Sequence, residues 1–166
     1  MIYIPKIADY KPFYIQTESD SAAIDTTAWG LLAKSNPYPL LPSPKGPHKN
    51  EWFDENGDEE YVEEMYYESI EFSVSFYVKA YDSNGVSAEE AIRQQTESFF
   101  SKIRRGEFKI YDSYTGLGRQ KVRYAGYKED SFIRRKDWAR AIFTISLKVN
   151  DPVTRLKLEN NVLVAE

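Results

Sequence analysis

The chain has 166 residues, a formal net charge of −4 and no cysteine. A chain of this length buries roughly 70% of its unfolded surface and needs no covalent staple. The lack of cysteine excludes disulfides, thiolate zinc sites and cysteine redox chemistry. Prolines and Asp9 interrupt the first residues, so we expect no signal peptide. The sequence contains no run of eighteen apolar residues, so it predicts no membrane span. We expect one domain over residues 1–166 and no membrane partner.

Charge is distributed unevenly along the sequence. Residues 1–92 carry 6 basic and 17 acidic side chains, whereas residues 93–148 carry 14 basic and 6 acidic ones. Ten acidic residues and no basic residue lie between Lys49 and Lys79. Because complementary charges steer encounter and fix register, this split predicts head-to-tail contact between copies of the chain. The alternative is that the two parts neutralise each other within one fold.

Proline and glycine divide the first part of the chain. Two short apolar segments, Ile2-Tyr3-Ile4 and Phe13-Tyr14-Ile15, are separated by prolines and therefore predict edge strands. Five prolines between Asn36 and Pro47 predict a proline-rich arm or loop at about 36–50. An acidic turn segment follows at about 51–68, with a hairpin tip or sharp turn at Asn56-Gly57, since this pair favours positive φ.

The strongest structural signals come after Tyr67. Apolar residues alternate at period two from Ile70 to Ala80, which predicts a strand with one buried face. Ser87 and Glu90 match a capping box and predict a helix at about 87–105, ended by Gly106. The residues predicted to form its buried face are Ala88, Ile92, Phe99 and Ile103.

Three further strands are predicted after the helix. Two short ones, Phe108–Ile110 and Val122–Tyr124, flank a turn at Asp112–Gly116, and a long one runs from Trp138 to Val149. Asp151-Pro152 then ends the ladder. This order of elements predicts an α+β, mainly β fold, either an antiparallel β-sandwich or a partly closed barrel, with one flanking α-helix.

The sequence predicts no catalytic, cofactor or metal site. Asp54-x-Asn56-x-Asp58-x-Glu60 is spaced like the start of a calcium loop, but an EF-hand needs glycine sixth and glutamate twelfth. This chain has Glu59 and Met65 there, so we interpret the segment as a solvated acidic turn, with weak cation binding left open. His48 is the only histidine, and it cannot complete a nucleophile pair or a histidine-based metal cluster.

Basic segments raise the alternative of nucleic-acid binding. Arg119, Lys121 and Arg123 alternate, and Arg134-Arg135-Lys136 forms a cluster that could contact phosphates. The chain is acidic overall, with a pI near 5.2. We therefore expect protein contacts and no sequence-specific nucleic-acid recognition. Thr115-Gly116-Leu117-Gly118-Arg119 lacks the phosphate-loop pattern and predicts a hairpin turn.

Six segments are informative through their order and spacing. They are Ile24–Leu31, Glu51–Gly57, Tyr67–Phe76, the predicted helix from Ala88 to Arg105, Gly106–Asp112, and Phe143–Leu147 followed by Asp151-Pro152. Together they resemble the hub domain of phage distal tail proteins and related tail-tube proteins. The likeness covers most of the chain.

This resemblance implies a structural protein without catalysis. Members of the family form a ring, commonly a hexamer, at the junction of tail tube and baseplate. The implied partners are copies of the chain and the tail proteins above and below the ring. The implied locations are the virion tail and, during assembly, the host cytoplasm. Larger members carry a carbohydrate-binding-like second domain, whereas this sequence ends fourteen residues past Pro152, so we expect hub or adaptor duty alone.

Two other functions stay open. One is a tail terminator or tube subunit with the same fold, and the other is a small-molecule or glycan-binding β-sandwich with Tyr and Trp lining a groove. For the ring, the charge split predicts that segment 51–71 of one chain faces segment 102–140 of the next. The candidate interface residues are Glu59, Glu60, Glu63, Glu64, Arg104, Arg105, Arg134, Arg135 and Lys136.

Overall fold

The structure is a computed structural model that describes residues 1–6, 10–34, 41–46, 48–51, 58–61 and 66–166, with the backbone alone at 48–51 and 58–61. The described residues form strands β1 to β12, one α-helix and a 3-10 helix at Thr26–Trp29. In chain order the elements are β1 (Ile2–Tyr3), β2 (Phe13–Thr17), β3 (Ile24–Asp25), β4 (Leu32–Ala33), β5 (His48–Glu51), β6 (Asp58–Tyr61), β7 (Ile70–Tyr81), α1 (Ala88–Ile103), β8 (Phe108–Asp112), β9 (Leu117–Arg134), β10 (Trp138–Val149), β11 (Leu156–Glu159) and β12 (Val162–Ala165).

A large antiparallel sheet dominates the fold and curls into a half-barrel. Its strands follow the order β1-β7-β10-β9-β8-β2-β3. Both β1 and β4 pair with β7. Strands β7 and β10 pair along their full lengths, from Ile70 opposite Val149 to Tyr81 opposite Trp138. A separate two-stranded sheet is formed by β5 and β6. The predicted mainly β fold with one flanking helix is confirmed.

Helix α1 covers the apolar face of the sheet. All four residues predicted for its buried face are buried, together with Ala91. Phe99 packs edge-on against Trp29 and Phe76, with ring centroids 5.5 and 5.4 Å away. Each such fully buried aromatic side chain contributes about 1.5–3 kcal/mol to stability, so this cluster holds the helix on β7.

The start of α1 is capped by two side chains. Ser87 Oγ accepts a hydrogen bond from the backbone N–H of Glu90 at 3.2 Å, as predicted. The carboxylate of Glu90 accepts instead from Gln94 Nε2, while Asp82 Oδ1 accepts from the backbone N–H of Ala88 at 2.8 Å. The carboxylate of Asp82, which directly follows β7, therefore helps to cap the first turn of the helix.

Strand β9 is much longer than the predicted Val122–Tyr124 strand, since it runs from Leu117 to Arg134. Its register against β10 shifts between Ile142 and Phe143 and again between Ser146 and Leu147. Each bulge resets the period-two pattern. The alternation that would reveal a strand is therefore interrupted in the sequence.

One other prediction about strands needs correction, and one hairpin is not predicted at all. Strand β1 lies at an edge as predicted, but β2 lies between β8 and β3. The reason is that Pro12 precedes β2, which leaves all of the strand's N–H groups free to pair. The sequence also does not predict the β11–β12 hairpin, which turns at Asn160 and Asn161 with φ of 51° and 62°.

Parts of the prediction fall on residues that the structure does not describe. Asn56 and Gly57 lie outside the described residues, although β5 and β6 pair antiparallel on either side of them. Residues 36–40 and 47 of the predicted proline-rich arm also lie outside them. Pro44 forms an isolated antiparallel bridge with Tyr67 just before β7. The single domain over 1–166 stays a prediction.

Candidate interaction surface

Arg134, at the tip of the β9–β10 hairpin, is bound within the chain. Its guanidinium donates to both carboxylate oxygens of Asp82, at 3.2 and 3.0 Å, and its Nε lies 2.9 Å from Glu89 Oε1. The hydrogen bonds from Arg134 lower the pKa of Asp82 below its ordinary value. This ion-pair cluster ties the hairpin tip to the start of α1.

The other predicted basic residues fall into two groups. Arg135 and Lys136 are exposed at the hairpin tip beside the start of α1, whereas Arg104 and Arg105 are exposed at its end. A helix of 16 residues is about 24 Å long, so these groups do not form one patch. Of the predicted acidic residues, Glu63 and Glu64 lie outside the described residues, as do the side chains of Glu59 and Glu60. Their place in an interface stays a prediction.

A second basic surface lies on the face of the sheet that points away from α1. We call it the outer face. It is formed by Glu71, Ser73, Ser75, Tyr77, Lys79 and Tyr81 of β7, Trp138, Arg140, Ile142, Thr144, Ser146 and Lys148 of β10, and Arg123, Gly126, Lys128, Ser131 and Ile133 of β9. Sequence reasoning missed this surface as a site, although the alternation in β7 and β10 places most of its side chains correctly. Its β9 members could not be assigned because of the two bulges.

Aromatic rings surround one cation of the outer face. The ammonium of Lys79 lies 4.4 Å from the ring centroid of Trp138, 5.1 Å from that of Tyr81 and 5.5 Å from that of Tyr3. Contacts of this kind stabilise by about 0.5–1 kcal/mol each at exposed sites. They fix Lys79 and hold β1 against β7.

Two cations of the outer face stand directly opposite each other. Arg140 pairs with Lys79 across β10 and β7. Within the described part of the chain, the Nε of Arg140 is buried and has no hydrogen-bond partner. Lys148 likewise stands opposite Arg123 across β10 and β9, with Glu71 on its other side. Like charges in directly opposite positions destabilise a sheet, so this face is suited to binding a negative group.

Small hydroxyl side chains form the middle of the outer face. Ser75 Oγ and Thr144 Oγ1 are 2.9 Å apart, and Thr144 also donates to Asp130. Ser73 and Ser146 lie on the next level, beside Gly126. These short side chains make the middle of the outer face polar and allow another chain to approach it closely.

The polar groups that line a cleft near the end of α1 are bonded within the chain. A cleft of about 390 Å³ is lined by Gln16 and Asp20, among others. Gln16 Oε1 accepts from the backbone N–H of Leu163 at 2.9 Å, and Asp20 forms an ion pair with Lys102. Partial burial works against the charged form of Asp20, but hydrogen bonds from Lys102 and Thr17 lower its pKa overall. These polar groups join β2, α1 and β12.

The alternating arginines and lysine of β9 do not share a surface. Arg119 is 1% exposed and donates through Nη1 to the backbone carbonyl of Pro152 at 2.6 Å, whereas Lys121 has a φ of 52° and is exposed. The register between β8 and β9 shifts here, and this bulge breaks the alternation. The alternative of a phosphate-binding row of Arg119, Lys121 and Arg123 therefore finds no support in this strand.

The described residues hold no group of three or more metal-ligating side chains. The residues of the predicted calcium-like turn from Asp54 lie largely outside that part of the chain. None of the described helices is long and apolar enough to span a membrane.

Comparisons with known proteins place the fold. Neither the family models nor the curated proteins give a match to this chain. Among solved structures, the fold is similar to the Dit protein (gp 19.1) of phage SPP1, described as a paradigm of the hub adsorption apparatus in phages that infect Gram-positive bacteria. The TM-score is 0.58 over 87% of this chain, at 16% sequence identity. The match covers 52% of the SPP1 chain, so this chain spans about half the length of that protein. The expected likeness to a tail-hub fold is confirmed as a likeness of fold.

Proposed function

We propose that this protein is a non-catalytic structural subunit of a phage or prophage tail. In this proposal it forms a ring, a hexamer as the sequence resemblance implies, and serves as a hub or adaptor between tail tube and baseplate. The observation that supports it most is the shared fold with SPP1 Dit. Its partners would be copies of itself and the tail proteins on either side of the ring.

The long edge of β9 supports assembly from many copies. Strand β8 pairs with β9 only as far as Val122. From Arg123 to Arg134, no strand in the described part of the chain pairs with that side of β9. Tyr127 and Phe132 lie along this edge and are 50% and 45% exposed. A long open edge with exposed aromatics is a template for pairing with another chain, and a head-to-tail contact closes into a ring when its rotation divides a circle.

The ring is tested by measuring the solution mass of the purified protein with light scattering over a wide concentration series. We expect a species of about six chains. A lysine on the β9 edge should weaken its assembly, because edge lysines oppose strand pairing. Phe132→Lys is that variant. Tyr114→Lys is its matched control, since Tyr114 is also 45% exposed but lies in the turn between β8 and β9.

The outcomes separate the proposal from its alternatives. A ring seen by electron microscopy for the wild type and for Tyr114→Lys, with loss of mass for Phe132→Lys, would support it. A strict monomer at every concentration would contradict the ring. Such a monomer would favour the small-molecule or glycan-binding alternative, which a ligand screen then tests.

A further inference from the structure

We propose that the outer face is the acceptor surface for the acidic segment between Glu51 and Glu68 of a second copy of this chain. The inference rests on the proposed ring and names the two surfaces that meet within it. It differs from the interface predicted from sequence because its basic side comes from the sheet face, not from the ends of α1.

The outer face has a charge opposite to that of the whole chain. It carries five cations, Lys79, Arg123, Lys128, Arg140 and Lys148, and two carboxylates, Glu71 and Asp130. Asp130 is already held by Thr144 and lies 3.8 Å from the ammonium of Lys128. The remaining charge of this face is positive, while the complete chain carries −4.

Two pairs of cations stand directly opposite each other on this face. Lys79 stands opposite Arg140, and Arg123 opposite Lys148. Such pairs repel across strands. A carboxylate from outside beside each pair would relieve its repulsion, and charge-assisted hydrogen bonds to such a carboxylate are among the strong ones.

The acidic segment has the complementary composition. From Glu51 to Glu68 the sequence contains nine acidic residues and no basic residue. The strands β5 and β6 form their own two-stranded sheet, and an isolated bridge joins Pro44, before β5, to Tyr67, after β6. An extended chain from Pro44 to Glu51 spans at most about 25 Å.

A second copy fits this face better than nucleic acid does. The whole chain is acidic, with a pI near 5.2, so its long-range field repels a polyanion such as DNA. Complementary acidic and basic surfaces on one chain instead favour contact between copies. The hydroxyl-lined middle of the face adds hydrogen-bonding groups that a hairpin backbone or carboxylates can use.

Charge reversal on the outer face tests the inference without weakening the fold. In Arg123→Glu/Arg140→Glu, each new glutamate stands opposite a lysine, so two repulsive pairs become attractive ones. We expect unchanged or higher thermal stability, together with self-association weakened by about tenfold or more. Lys11→Glu/Arg155→Glu makes the same charge change at two exposed positions outside this face, and we expect it to associate like the wild type.

Mixing two variants tests whether the contact is made between chains. Glu59→Lys/Glu63→Lys reverses two charges of the acidic segment and should also associate poorly alone. Mixed with Arg123→Glu/Arg140→Glu, it should recover association, because each defective surface then meets a complementary one on its neighbour. Recovery only when all four substitutions are on one chain would overturn the inference in favour of a contact within the chain.

The remaining outcomes are equally decisive. If the wild type forms rings and Arg123→Glu/Arg140→Glu forms them equally well, this inference fails and the proposed function stands. If the wild type is monomeric throughout, both fail. If the face variant associates normally but loses binding to a labelled duplex DNA that the wild type binds, the occupant is nucleic acid and the inference is overturned.

Discussion

Asp151 stabilises the connection between β10 and β11. Its Oδ2 accepts a hydrogen bond from Gln120 Nε2 at 2.6 Å, and its Oδ1 accepts from the backbone N–H groups of Val153 and Thr154 at 3.2 and 3.1 Å. Partial burial opposes the charged form, but these donors lower the pKa of Asp151 to about 2 from 3.8. Asp151-Pro152, which the sequence predicts to end the ladder, thus forms a turn that the charged carboxylate of Asp151 holds in place.

Replacing this carboxylate should remove a pH-dependent part of the stability. Because the folded-state pKa is depressed, the charge contributes fully above the unfolded value and its contribution disappears as the pH falls from about 4 to about 2. Asp151→Asn should lower the free energy of unfolding at neutral pH by about 1 kcal/mol, a figure reduced for solvent screening of a partly exposed group. Urea unfolding of both proteins across this pH range measures the difference. A difference that stays constant down to pH 2 would contradict the assignment.

The packing of the N-terminal strand β1 against β7 depends on one glycine. Gly30 has a φ of 72°, and a Cβ added there would lie 2.2 Å from Cγ2 of Ile2. Ile2 pairs with Ala80 of β7, and the terminal amino group of Met1 donates to the carbonyl of Tyr81. The glycine therefore allows both the turn after Trp29 and the close packing of β1.

Gly30→Ala should displace β1 from the edge of β7. We expect faster amide hydrogen exchange at Tyr81, whose N–H bonds to the carbonyl of Met1, and a loss of about 1–3 kcal/mol from overpacking and backbone strain. Gly85→Ala is the control, because Gly85 has a similar φ of 78° but nothing within 4 Å of an added Cβ. Equal effects of the two substitutions would show that strain alone is responsible and that Ile2 does not depend on Gly30.

The elements that could be predicted are those with one buried face and an unbroken period. Strands β7 and β10 and helix α1 meet that condition, and the residues assigned to their buried faces are buried except for the half-buried Phe72. Strand β9 does not, because its far half is exposed and contains two bulges. Likewise, nothing local reveals that Arg134 binds Asp82, 52 positions away, or that Lys79 faces Arg140. Those facts follow from strand register.

The chain as a whole separates its charges between the acidic segment from Glu51 to Glu68 and the basic outer face of the sheet. Its long open β9 edge offers backbone hydrogen bonds and aromatic surface, whereas the charged surfaces offer attraction over a longer range. Salt weakens the second kind of contact far more than the first, since the Debye length falls from about 10 Å at 0.1 M to about 3 Å at 1 M. Salt dependence therefore distinguishes which contact controls assembly.

We expect the self-association of the wild type to weaken as sodium chloride is raised from about 0.1 M to about 1 M, because screening removes the attraction between exposed charges over these lengths. Sedimentation velocity at fixed protein concentration measures the shift toward monomer, and thermal unfolding in the same buffers checks that the fold is intact. Arg123→Glu/Arg140→Glu should show a smaller salt effect, as it has already lost the attraction. Association that strengthens with salt would instead mean that apolar contact along β9 dominates, since salt favours apolar burial while it screens charge.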